Sequence, residues 1–160
     1  MLLLKLLVIL CFIVIFYQDN KTRMVYWFLY PLVGIGAFFI QVFYNSYIIT
    51  LLNSLLNIIT MSIIILICYL YSKFIMKKEF INGSIGIGDI LLFIFLCLTF
   101  SSIAFIILLA FSLIFSLLLH QIAKQKKNNL TVPLAGYISL FFAAIYIVSF
   151  FITPSYLYSY

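Results

Sequence analysis

A single all-α membrane domain over residues 1–160, a bundle of six transmembrane helices, is the fold the sequence predicts. Three observations carry that prediction. Hydrophobic residues make up 68% of the chain and charged residues 8%. That leaves too little polar surface to enclose a core in water, so the bilayer must act as the solvent. The apolar residues fall into six segments parted by polar or charged breaks. The basic residues also collect in alternate breaks, as topology signals do.

The first span covers residues 2–17 and is closed by Gln18-Asp19-Asn20-Lys21-Thr22-Arg23. Lys5 interrupts its Leu-rich run, and no small-residue cleavage site follows, so it is expected to be retained as a span. It covers only about 24 Å at 1.5 Å per residue, against a hydrocarbon core of roughly 30 Å. The mismatch is expected to draw Asp19 slightly into the bilayer edge, or to thin the bilayer there. The second span, 25–44, ends at Asn45-Ser46. The third, 47–75, is long enough to tilt, with Lys73 at its wet end. On it Thr50, Asn53, Asn57 and Met61 recur at helical spacing, which predicts hydrogen bonds to a neighbouring helix. A loop over 76–88 precedes the fourth span, 89–100. The fifth, 103–119, carries Ser112 and Ser116 one turn apart as packing positions. A polar loop over 120–129 leads to the sixth, 132–152.

Numbering the breaks alternately sorts the charges. One side receives Lys21 and Arg23, then Lys73, Lys77 and Lys78, then Lys124, Lys126 and Lys127; the other receives only Lys5. The positive-inside rule assigns the basic side to the cytoplasm and both termini to the outside of the membrane. Tyr26, Trp27 and Tyr30 on the inner side, and Tyr156, Tyr158 and Tyr160 on the outer, read as interfacial belts. His120 ends a span beside lysines and reads as a headgroup contact.

Several function classes are disfavoured. The net charge of +6 lies in short clusters between apolar runs, which predicts contact with membrane lipid and no nucleic-acid partner. Cys11, Cys68 and Cys97 sit singly inside apolar runs, without paired spacing for zinc, so no metal or other cofactor is expected. Gly83, Gly86 and Gly88 lack the Lys-Ser/Thr and the preceding strand of a phosphate loop.

What remains is a small set of acids. The chain has three, Asp19, Glu79 and Asp89. A carboxylate entering lipid costs several kcal/mol by most estimates and is by default a functional candidate. Asp89 follows Gly86-Ile87-Gly88 and opens the run Ile90-Leu91-Leu92-Phe93-Ile94-Phe95. Gly86 and Gly88 lack a Cβ, so they allow close backbone approach and turns that other residues resist. Asp19 and Asp89 lie at one membrane depth. Brought together, they would share a proton, one acting as base toward water and the other as acid toward a carbonyl. The bland alternative stands beside this: Asp19 as a juxtamembrane residue paired with Lys21 or Arg23, and Asp89 as a helix cap.

Gly86-Ile87-Gly88-Asp89 resembles the GxGD motif of membrane aspartyl proteases, and within them the type IV prepilin peptidase family in its short forms. Asp19-Asn20-Lys21-Thr22-Arg23-Met24-Val25 resembles that family's first catalytic segment. Thr131-Val132-Pro133-Leu134-Ala135-Gly136 resembles the entry to its last span. The similarity runs along nearly the whole chain in order. It implies a membrane-embedded aspartyl endopeptidase with Asp19 and Asp89 catalytic. Gly86 and Gly88 would admit a close backbone, and Lys21, Arg23, Pro133 and Gly136 would support substrate or site. The implied partners are prepilin-like precursors of a pilus or secretion system, each a short basic leader followed by an apolar helix and cut at the cytoplasmic face. The N-methylating region of larger members is absent, so methyltransferase activity is not implied. Two departures stand out: Tyr26 where the family often has Pro, and Leu91 where a Lys is common. They leave room for an inactive homologue, and composition alone also admits a six-span scaffold or small transporter.

Overall fold

The computed structural model describes residues 1–77, 85–124 and 133–158. Thr131, Val132 and most of the expected 76–88 loop lie outside them. The described residues form α1 (Leu2–Thr22), α2 (Leu29–Tyr44), α3 (Tyr47–Tyr71, continued by a π-helical turn, Ser72–Met76), α4 (Ile87–Leu96), α5 (Ser102–Lys124), α6 (Leu134–Val148) and α7 (Ser155–Tyr158). Three stretches, Leu2–Thr22, Tyr47–Met76 and Ser102–Ile122, are long and apolar enough to cross a membrane. The other expected spans are shorter helices: α2 has 16 residues, α4 has 10 and α6 has 15. The described chain is thus all-helical with an apolar exterior. Leu3, Leu10, Phe43, Ile48, Phe111 and Phe151 all face outward, as lipid-facing side chains would.

The core forms around α1. Its Val8, Phe12 and Ile15 are fully buried, as are Ile138, Phe142 and Tyr146 of α6, one turn apart in series. This gives each helix a single inward stripe. The Phe12 ring meets those of Phe142 and Tyr146 at 6.1 and 5.9 Å, and Phe100 joins them from beyond α4. Contacts fix the directions. Lys5 touches Ser149 while Asp19 touches Gly136, so α1 and α6 are antiparallel. Tyr30 lies against Gly88 and Gly34 against Phe95, so α2 and α4 run parallel.

One end of the bundle is closed by a polar and aromatic layer. The buried Lys5 ammonium donates to the Ser149 carbonyl and hydroxyl at 3.2 and 3.0 Å, between the rings of Tyr44 and Phe150. Asn45 Nδ2 donates to the Tyr158 carbonyl. Tyr158 differs from expectation: it is buried and stacks on Tyr44 at 4.9 Å, because α7 turns the tail back onto the bundle. The expected polar stripe on α3 is buried but holds only in part, since the Thr50 hydroxyl finds no partner among the described residues. Asn57 donates to the Cys97 and Phe100 carbonyls, both at 3.0 Å, and Ser102 donates to Asn53 Oδ1 at 3.2 Å. Asn57 thereby satisfies carbonyls left open where α4 stops.

Candidate active site

The opposite end of the core holds the two acids. Asp19 does not lie in a loop after the first span; α1 continues through it to Thr22, and Asp19 is buried in the last turn. Arg23 then ends the helix in the left-handed region, at φ 59°, with its N–H donating to the Asp19 carbonyl. A non-glycine residue there is costly unless its surroundings over-determine it. Asp89 lies in the first turn of α4, where the helix dipole favours a negative charge. Its Oδ2 accepts from the Gly86 N–H at 3.2 Å, so Asp89 does help cap its own helix.

The start of α6 joins them. Asp89 Oδ1 accepts from the Ala135 N–H at 2.8 Å, and Asp19 Oδ2 accepts from the Gly136 N–H at 2.6 Å. Ala135 and Gly136 are consecutive, and both N–H groups belong to the first helical turn, where no intrahelical acceptor serves them. One residue of backbone therefore links the two carboxylates, which holds the two accepting oxygens within about 9 Å of each other. The Asp19 charge acts on Asp89, and Arg23 acts on both acids. Their settings are unequal. Both face the N-terminal end of α6, but Asp89 also opens α4, whereas Asp19 sits at the C-terminal end of α1.

Gly83 lies outside the described residues; Gly86, Gly88 and Gly136 each meet the site sterically, and none of the three adopts a positive φ. A Cβ on Gly136 would stand 3.1 Å from Asp19 Oδ2 and 3.2 Å from Asp19 Cβ. A Cβ on Gly86 would stand 3.2 Å from Asp89 Oδ2, and one on Gly88 2.8 Å from the Tyr30 hydroxyl. Close approach is thus what Gly86 and Gly88 provide, not an unusual turn. Pro133, buried, is the N-cap of α6 and aims the Ala135 and Gly136 amides outward from the helix start. Lys21 does not join the acids: its ammonium lies on the exposed side, bonded to the Tyr17 hydroxyl at 3.2 Å and over that ring.

Tyr30 was misplaced by sequence reasoning. Tyr26 and Trp27 are exposed as belt residues should be, but Tyr30 is 1% exposed. Its ring lies against Gly88, its hydroxyl has no hydrogen-bond partner among the described residues, and both carboxylates act on it. Among the described residues no three His, Cys, Asp or Glu side chains gather as metal ligands would. No family model, curated protein or solved structure matches the chain.

Proposed function

We propose that the protein is a membrane-embedded aspartyl endopeptidase of the prepilin peptidase type, with Asp19 and Asp89 as its catalytic pair. The observation that supports this best is the gripping of the two carboxylates by consecutive amides of one helix start. A juxtamembrane charge and an incidental cap would have no reason to converge on the same turn. Two carboxylates a few ångströms apart share one proton, and Asp19 and Asp89 are proposed to do so in the working state. In the proposed reaction the ionised carboxylate takes a proton from water as the water oxygen adds to the peptide carbonyl carbon. The protonated partner gives its proton to the carbonyl oxygen. The C–N bond then breaks as the protonated acid gives its proton to the leaving nitrogen and its partner takes one from a hydroxyl of the tetrahedral intermediate, so the pair again holds one proton.

The six-helix alternation favours a reading in which all six helices cross the bilayer, with the basic breaks in the cytoplasm. From Lys5 to Asp19 is about 21 Å along α1 at 1.5 Å per residue. If the Lys5 layer marks the outer boundary of a hydrocarbon core of roughly 30 Å, the acids are recessed from the inner surface instead of sitting at its edge. A substrate whose basic leader stays in the cytoplasm and whose apolar helix stays in lipid would carry its scissile bond to that depth.

The test is cleavage of a synthetic precursor, a Lys-containing leader followed by Gly and an apolar helix, by the purified chain in proteoliposomes. Asp19→Asn and Asp89→Asn are each expected to abolish cleavage; wild-type rates in both variants would reject the assignment. Tyr26 and Leu91, at positions where the family commonly has Pro and Lys, favour a second reading, a homologue that binds precursors without cutting them. Binding of the precursor without product from the wild-type chain would select it.

A further inference from the structure

Resting on the peptidase reading, we infer that Tyr30 is a third catalytic group, whose buried hydroxyl donates a hydrogen bond to the carbonyl oxygen of the substrate as negative charge develops on it. Three observations carry the assignment. The Tyr30 side chain is 1% exposed, yet its Oη finds no partner among the described residues. A buried hydroxyl without a partner forfeits its hydration and calls for an explanation; Tyr146 and Tyr158 share that state, so the location of Tyr30 is what sets it apart. The hydroxyl occupies the space beside Gly88 where a Cβ would stand, 2.8 Å away, and Gly88 directly precedes Asp89. Both acids exert their fields on this one group.

The chemistry discriminates among roles for it. A phenol beside two carboxylates that carry one proton between them keeps its own proton, so it acts as a donor and not as a base. The amides of Gly86, Ala135 and Gly136 already serve carboxylate oxygens, so none of them is free to hold a developing oxyanion. Tyr30 is the remaining preorganised donor among these groups, and such donors are most effective in water-poor surroundings. The residue before the second acid is then a glycine for a definite reason: any side chain there would displace the hydroxyl. Through the step Tyr30 keeps its O–H bond. The proton that ends on the carbonyl oxygen comes from the acid pair, and the tyrosine only donates a hydrogen bond to it.

The experiment is a double-mutant cycle on Tyr30→Phe and Gly88→Ala, assayed in proteoliposomes on the synthetic precursor, with thermal unfolding of each variant in detergent. Tyr30→Phe keeps the ring and removes only the hydroxyl. Its kcat is expected to fall roughly 10²-fold, as on loss of one oxyanion donor, with KM within about two-fold and unfolding temperature unchanged or raised. Gly88→Ala is expected to cost a similar factor alone and little more when added to Tyr30→Phe, because the next ring atom, Cζ, lies 3.8 Å from that Cβ position. Wild-type kcat in Tyr30→Phe overturns the proposal and leaves the aspartyl pair standing. Equal and independent losses from the two changes also overturn it. Should Tyr30→Phe not fold, wild-type kcat in Gly88→Ala does the same. Full activity of Asp19→Asn and Asp89→Asn would instead remove the peptidase reading itself.

Discussion

Gly136 is the residue on which the geometry of the acids is most finely balanced. It gives its N–H to Asp19 and has no side chain to crowd that carboxylate, whose Oδ2 would lie 3.1 Å from a new Cβ. Gly136→Ala is therefore expected to displace the Asp19 side chain while α6, a helix that alanine favours, stays formed. Cleavage should fall at least about tenfold, since a misplaced catalytic group loses its near-attack geometry, with helical content unchanged by circular dichroism. Normal turnover would mean that Asp19 is not held from this position in the working state. The shared proton makes a second residue-scale prediction. Cleavage should follow a bell-shaped pH profile, lost at low pH as both acids protonate and at high pH as both ionise. A rate–pH profile with one limb only would speak against two acting acids. Asp19 and Asp89 were legible in the sequence because a carboxylate beside an apolar run is rare. Tyr30 was not, because an aromatic residue near a helix end fits a membrane belt equally well. Only the register that turns it toward Gly88 separates the two.

At the scale of elements, α2 and α4 are held together by the absence of a side chain. A Cβ on Gly34 would meet Phe95 Cδ1 at 2.6 Å and its Cβ at 3.0 Å. Since the clash reaches the root of the ring, rotation cannot relieve it. Gly34→Ala is expected to part the two helices and to lower stability by about 1–3 kcal/mol, as overpacking does, read as a lower unfolding temperature in detergent. Asn57 makes the complementary case. It is buried between α3 and the end of α4, where it donates to two backbone carbonyls. Asn57→Leu keeps the branched outline of the side chain, adds bulk and leaves both carbonyls without their donor, and the cost of the lost bonds should be about 1–3 kcal/mol. An unchanged unfolding temperature would show that water or another group replaces it. The Asn57 stripe could be read from the sequence because Thr50, Asn53 and Asn57 recur at helical spacing in an otherwise apolar run. The true ends of α2, α4 and α6 could not, since spans that are apolar all round have no periodicity to mark where helix gives way to turn. The tail likewise read as a belt, whereas Tyr158 is drawn inward by α7.

For the whole molecule the governing contrast is between three helices long enough to cross a bilayer and three that are shorter. At 16 residues α2 covers about 24 Å, and at 10 residues α4 covers about 15 Å. Neither matches a hydrocarbon core of roughly 30 Å. The proposed topology has them cross nonetheless, and helix direction is consistent with it. Helices α2, α4 and α6 run parallel to one another and opposite to α1, so the chain must return between them, and α3 and α5 are the long return segments. In the proposed topology a short helix would reach one surface and stop at the layer of the acids, and the missing length would be the depth of a recess above them. The consequence can be measured in vesicles with a membrane-impermeant thiol reagent, after Cys68 on the exposed face of α3 is replaced by serine. Trp27→Cys and Ser46→Cys flank α2, and Ile87→Cys and Ser102→Cys flank α4. Within each pair the first is expected to react from the cytoplasmic side and the second from the outside. If Trp27→Cys and Ser46→Cys react from the same side, α2 does not cross, the alternation of basic breaks loses its meaning, and the acids no longer face the cytoplasm as a basic leader requires.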